Sequence, residues 1–191
     1  MVQAAGQRTL RKDARDSISR IHAAALEIFL AKGLDASLNE IARAAGVSVG
    51  TLYNRFGSRE GVIDAVLPEI AGRKLQGLAE QVMARLTPRE RLQTFIDGMI
   101  EIQQSNPALN DAILRRFPEA TALIGVCDRT ADFGRQLVRD AHGDGALAAA
   151  FTEDDLIALL WMAGTASSEP SAPVAWRRIL ERALDSAWTY H

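Results

Sequence analysis

Apolar residues at Ile18, Ile21, Ala25, Ile28 and Phe29 recur with the period of one helix face, and Gly33 then supplies a helix stop. In Ser37-Leu38-Asn39-Glu40 the serine hydroxyl can accept from the Glu40 backbone while the glutamate reaches back to the serine N–H, the pattern of a capping box. A second helix is predicted there, with Leu38, Ile41, Ala42 and Ala45 inward, ending at Gly46 after about two turns. Ser48 announces a third helix with Leu52 and Phe56 inward and Gly57 at its end. Ser58 caps a fourth, whose apolar stripe is Val62, Ile63, Val66, Leu67 and Ile70 and whose Glu60 lies near the positive end of the helix dipole.

From Thr87 onward the segments lengthen and the punctuation becomes proline, at Pro88, Pro107, Pro118, Pro170 and Pro173. Five more helices are predicted, over roughly 88–104, 107–116, 119–141, 153–166 and 173–189. Gly143 and Gly145 mark one loop, and Ser167 to Pro173 another. No run alternates with β-branched enrichment, and no repeat or low-complexity tract occurs. The expected fold is all-α, about nine helices, with an N-terminal three-helix domain over 1–60 and a larger helical domain over 61–191.

Two short helices joined by Ala45-Gly46-Val47-Ser48 must cross steeply, which is the geometry of a helix-turn-helix. In that arrangement the first helix crosses the DNA backbone and the second offers its N-terminal side chains to the major groove. The residue types suit the task. Gly50 lets the helix approach the duplex closely, Val49 and Thr51 present a methyl and a hydroxyl to base edges, and Tyr53 and Asn54 can reach bases or phosphates. The helix N-termini at Ser37 and at Ser58, the latter with Arg59 beside it, are candidate phosphate anchors, and Ser48 is a further candidate DNA-binding residue.

These residues also carry a resemblance. The stretch from Arg20 to Leu67, above all Ile41-Ala42-Arg43-Ala44-Ala45-Gly46-Val47-Ser48-Val49-Gly50-Thr51-Leu52-Tyr53-Asn54-Arg55-Phe56, resembles the DNA-binding domain of the tetracycline-repressor (TetR) family of regulators. Asn54-Arg55 stands where that family often has an aromatic or basic residue followed by histidine, which bears on operator preference. Arg59 stands where it commonly has lysine, which keeps the positive charge. The resemblance covers the first third of the chain; the rest is similar to the family in helical architecture. It implies a homodimer whose two recognition helices enter successive major grooves of a palindromic operator. It also implies a C-terminal ligand-binding and dimerisation domain, whose small-molecule effector controls the separation of those helices, most often to release a repressor.

Charge changes the picture because it is unevenly placed. The net charge of −2 argues against nucleic acid, but residues 1–60 hold nine Lys and Arg against six Asp and Glu, while the remainder is acidic. Arg8, Arg11, Lys12, Arg15 and Arg20 crowd the first twenty positions, as in an arm that neutralises phosphates. With 48% hydrophobic residues the chain can bury a sizeable core. Cys127 is the lone cysteine, so no intramolecular disulfide is possible. The N-terminus lacks the apolar run of a signal peptide, and no segment reaches the roughly 18 to 20 apolar residues of a membrane span. A cytoplasmic protein is expected.

In the larger domain, Leu156, Ile157, Leu159, Leu160, Trp161 and Met162 make the helix over 153–166 apolar around most of its circumference. Trp176, Leu180, Ala183, Leu184, Ala187 and Trp188 form a stripe on the helix over 173–189, so two helices from each copy are expected to make a four-helix dimer interface. Phe95, Met99, Ile102, Phe117, Leu123, Cys127, Phe133, Trp161 and Met162 are candidate pocket residues, and their low charge points to an apolar or amphipathic effector. Core packing explains each of them equally well. Cys127 reads as a small buried hydrophobe rather than a redox sensor, and Asp154 and Asp155 as first-turn carboxylates rather than an acid–base pair. His22, His142 and His191 are scattered, so no metal site is expected; no nucleotide motif, cofactor signature or catalytic motif is present. Two alternatives compete: a helical ligand-binding protein or enzyme with a non-functional reader, and a module whose helix-turn-helix binds another protein.

Overall fold

The computed structural model describes the backbone of residues 2–189 and the side chains from Arg15 to Thr189; Arg8, Arg11 and Lys12 of the expected basic arm, and His191, lie outside the described side chains. Among the described residues nine helices form: α1 (Val2–Lys32), α2 (Leu38–Ala44), α3 (Val49–Phe56), α4 (Arg59–Met83), α5 (Pro88–Ser105), α6 (Pro107–Arg115), α7 (Thr121–Gly143), α8 (Glu153–Ser168) and α9 (Trp176–Ala187). The one β feature among them is an isolated bridge between Leu147 and Trp188.

Two spans are longer than the apolar period predicts. Helix α1 continues back to Val2 through a run rich in Ala, Gln and Arg, residues that lose little side-chain freedom in a helix. Helix α4 passes through Pro68 to Met83, although proline lacks an N–H and crowds the preceding turn. Val62, Ile63, Val66 and Leu67 are buried before it and Ala71, Leu78 and Val82 after it, so packing on both sides overrides the local cost.

The interior holds two clusters. The first joins Ile21, Phe29, Leu34, Ile41, Leu52, Val62, Ile63 and Leu67 to Leu109, Ala112 and Leu123, so α6 and the start of α7 share a core with the first four helices. The second gathers Leu92, Phe95, Ile96, Val138, Leu156 and Trp188. Each fully buried Leu, Ile or Phe contributes about 1.5–3 kcal/mol relative to exposure.

The last helix departs from expectation. Leu184, Ala187 and Trp188, assigned from sequence to an intersubunit stripe, are buried in the second cluster of their own subunit, and Leu180 packs against it. The reason is tertiary: the chain after α9 pairs Trp188 with Leu147, and the Arg89 guanidinium lies 5.0 Å over the Trp188 ring. What α8 and α9 leave uncovered is Trp161, Met162 and Ile179, at 58%, 53% and 65% exposure.

Candidate nucleic-acid interface and effector cavity

The reader is built by capping. Ser37 Oγ accepts from the Asn39 N–H at 3.1 Å, and the Glu40 carboxylate accepts from the Ser37 N–H at 3.2 Å. The Lys32 ammonium donates to the same carboxylate at 2.6 Å and holds it below the usual carboxylate range. At the joint, Gly46 takes φ of +65°, a left-handed conformation that closes α2, with the Val47 N–H reaching the Ala42 carbonyl at 3.0 Å. Ser48 then caps α3, accepting from the Thr51 N–H at 3.0 Å. Such caps are each worth about 1 kcal/mol, so this turn is set locally.

Within α3 only Leu52 is fully buried, and Tyr53, Asn54 and Arg55 are exposed. Gly50 is exposed too, and a Cβ built there would meet nothing nearer than Ser48 Oγ at 3.8 Å. Val49 and Thr51, expected at the DNA face, also make contacts within the protein. Val49 is half-buried against the first cluster, and the Thr51 hydroxyl lies 2.8 Å from that of Ser48, sharing its hydrogen bond. Arg43, exposed near the end of α2, was not singled out from the sequence, and its charge inside the helix-turn-helix was the signal available; Arg55, noted there for its departure from the family pattern, is exposed near the end of α3.

Arg59, a candidate phosphate anchor, has one donor engaged within the protein. It is half-buried, its Nη1 donates to the Leu34 carbonyl at 2.7 Å, and its charge reaches Asp35. It therefore ties the start of α4 to the turn between α1 and α2.

Behind the reader, a set of polar contacts fastens it to α6 and α7. Ser58 Oγ donates to Glu119 Oε2 at 3.2 Å, Glu60 Oε2 accepts from the Glu119 N–H at 3.1 Å, and Asp64 Oδ1 accepts from the Leu123 N–H at 2.9 Å. No side chain of its own caps α7, so α4 carboxylates satisfy amides at its start, where a helix favours negative charge. Arg115 forms a fork with Asp35 at 2.9 and 3.0 Å and also donates to Asp111 at 2.7 Å, which holds the Asp35 carboxyl below its ordinary range. The covalent path along α4 is thus one of several links between the two ends of the molecule.

On the far side of those links lies a cavity of about 260 Å³. Phe95, Met99, Ile102, Phe117, Cys127 and Trp161, dispersed along the chain, all line it, together with Leu123. Two other candidates lie elsewhere: Phe133 stacks edge-on against Phe95 at 5.7 Å and lines a separate groove, and Met162 faces outward. Burial pushes the Cys127 thiol up, so little reactive thiolate forms at neutral pH. Gln103 and Asn110, buried polar residues of the wall, went unremarked in the sequence. Among the described residues no three His, Cys, Asp or Glu side chains are placed to hold a metal, and no helix is long and apolar enough to cross a membrane.

A capped helix pair with a sharp left-handed joint, an outward-facing second helix and a helical body behind it define a helix-turn-helix protein of the kind that reads DNA. The model for bacterial regulatory proteins of the tetR family matches residues 21–66. Over those residues the chain is similar to the DNA-binding domain of the TetR family. It is 46% identical over 56 residues to the uncharacterized HTH-type transcriptional regulator TtgW of Pseudomonas putida, covering 29% of this chain and 42% of the relative. With the HTH-type transcriptional regulator BetI of Rhizobium meliloti it shares 33% identity over 98 residues, 51% of this chain and 48% of the relative. The matched part is thus less than half the length of these relatives. Beyond it the likeness is one of fold: a transcriptional regulator from Saccharomonospora viridis in complex with choline superposes with a TM-score of 0.69 at 14% identity, covering 93% of this chain and 100% of that one.

Proposed function

We propose that this protein is a dimeric transcriptional repressor that binds a palindromic operator in the cytoplasm and is released from it by a small-molecule effector. The observation that carries the reading is the outer face of α3, where Gly50, Tyr53 and Asn54 are exposed on a helix anchored by Leu52. Nothing within the subunit needs a glycine at position 50, whereas close approach to a groove does. Residues 1–60 act as the reader, with α4 as its rear wall, and 61–191 hold the effector and the partner copy.

Coupling follows from the contacts. Phe117, Ala120 and Leu123 line the cavity, and Glu60 and Asp64 grip the backbone at 119 and 123. An effector that shifts the start of α7 therefore shifts the start of α4, on which α3 rests. Affinity for DNA falls by the ratio of effector affinities in the two states. The second copy docks on the exposed apolar residues of α8 and α9, which a monomer would leave in water. Replacing Met162 and Ile179 together with glutamate is expected to give a monomer by light scattering that retains its helical circular dichroism and loses operator binding. A dimer that survives the double change removes this surface from the interface.

Selection from random DNA tests the central claim, with a palindromic consensus as the expected result. Arg59→Ala is expected to weaken binding to all sequences and to lower the salt slope by about one, since the donors of Arg59 that do not reach Leu34 contact a phosphate. Because the Leu34 bond is lost as well, Arg59→Lys serves as the control for charge without the fork. An unchanged slope in Arg59→Ala would remove the phosphate from this position.

A further inference from the structure

Three residues line two separate spaces. Leu75 of α4, Phe95 of α5 and Thr130 of α7 stand in the wall of the cavity and also in that of a groove of about 360 Å³ between α4 and α7. Beyond them the groove is bounded by Leu78, Val126 and Phe133, none of which lines the cavity. Cavity and groove are therefore neighbours, divided by a single layer of side chains. The Thr130 hydroxyl donates to the Val126 carbonyl of its own helix at 2.9 Å, which leaves Leu75 and the Phe95 ring as the bulk of the partition. The partition falls where the two halves of the interior meet, since Leu75 packs against both hydrophobic clusters.

Phe95 is held firmly in this position. It is 1% exposed, its ring meets Phe133 edge-on at 5.7 Å, and a Cβ at Gly134 would come within 2.7 Å of its Cε1, so the ring lies on bare α7 backbone. A ring packed this closely acts as a stop. The exposed residues of the cavity lining are Arg116, Asp128 and Trp161, so the mouth lies among them, with Arg116 and Asp128 paired at 3.7 Å. An amphipathic molecule entering there leads with its apolar end and leaves its polar end at the charged mouth. Resting on the reading of this cavity as the effector site, we propose that Phe95 and Leu75 form its floor and determine its specificity for length. The apolar chain of the effector ends against them, short of the groove. A methylene takes up about as much room as a water molecule, about 30 Å³, so a cavity of 260 Å³ accepts a chain of about nine carbons.

The test is calorimetry and tryptophan fluorescence on the full chain with the straight-chain primary alcohols from 1-hexanol to 1-dodecanol. In the parent, affinity is expected to rise about fourfold with each carbon, the gain from burying one methylene, and to stop rising at about nine carbons. In Leu75→Ala and in Phe95→Ala, each first checked by thermal melting, the rise should continue into the groove, so that 1-dodecanol binds at least about tenfold tighter than it does to the parent. Phe95→Ala removes a fully buried ring, so Leu75→Ala, at a half-buried position, decides the matter if the former does not fold. Ile157→Ala serves as the control, because Ile157 lines the cavity and not the groove; it should weaken every alcohol and leave the limit within about one carbon of the parent's. A limit unmoved in folded Leu75→Ala, one moved as far by Ile157→Ala, or no limit in the parent overturns the floor while leaving the cavity as the effector site. Failure of every alcohol to bind overturns the reading of the cavity itself.

Discussion

Gly61→Ala is expected to destabilise the protein by about 3 kcal/mol or more and to abolish specific DNA binding. A Cβ at this position would stand 1.9 Å from the Phe56 carbonyl oxygen and 3.0 Å from its carbon, far inside contact distance. The obstacle is backbone, which cannot swing aside as a side chain would. To accept the methyl group, the end of α3 must separate from the first turn of α4. That turn is held by the Ser58 cap, the Arg59 bond to Leu34 and the Glu60 contact with Glu119, so movement breaks several bonds together. Thermal melting and a mobility-shift titration on the selected operator read the two effects. A variant that melts within a degree of the parent and binds as before would show that the α3–α4 junction is not rigid, and with it the route from effector to reader would fail.

Gly50→Leu is expected to do the opposite to stability and the same to function. Position 50 is exposed and a Cβ there has ordinary contacts only, so a better helix former should add up to about 1 kcal/mol of stability. Against DNA the new side chain stands between the helix and the groove floor. Holding α3 away from the bases forfeits contacts worth about 1–3 kcal/mol each, so affinity for the operator should fall by at least about a hundredfold while weak binding to arbitrary DNA persists. Gly50→Ala should show the same direction at smaller size. The pair of glycines, eleven positions apart, separates two demands that look identical in sequence: one needs the space inside the subunit, the other outside it. If Gly50→Leu reads the operator as well as the parent, α3 does not lie in the major groove.

The reader was legible in the sequence because its determinants are local. Ser37 and Glu40, Ser48 and Thr51, and Ser58 and Gly61 act across three residues, and Gly46 and Gly57 close turns within their own neighbourhoods. Short-range hydrogen bonds and left-handed glycines leave a readable signature because residue type and conformation are tied at the same position. Of the nine apolar residues named for a cavity, seven line one and Phe133 and Met162 do not, because apolar character marks a residue for the interior without saying which neighbours it meets there.

What the sequence alone determined, then, is the all-helical class, the capped helix-turn-helix with its outward face, and the apolar nature of the larger body. The tertiary structure decided the rest. It turned Leu184, Ala187 and Trp188 inward, bound Arg59 to Leu34, set Glu60 and Asp64 against the start of α7, and joined Gln103 of α5 and Asn110 of α6 to the Leu160 and Gly164 carbonyls of α8. Those contacts join residues 25 to 59 positions apart. Such pairings depend on which helices become neighbours, and a helix with two plausible apolar faces does not disclose from its own residues which of them its partner will cover.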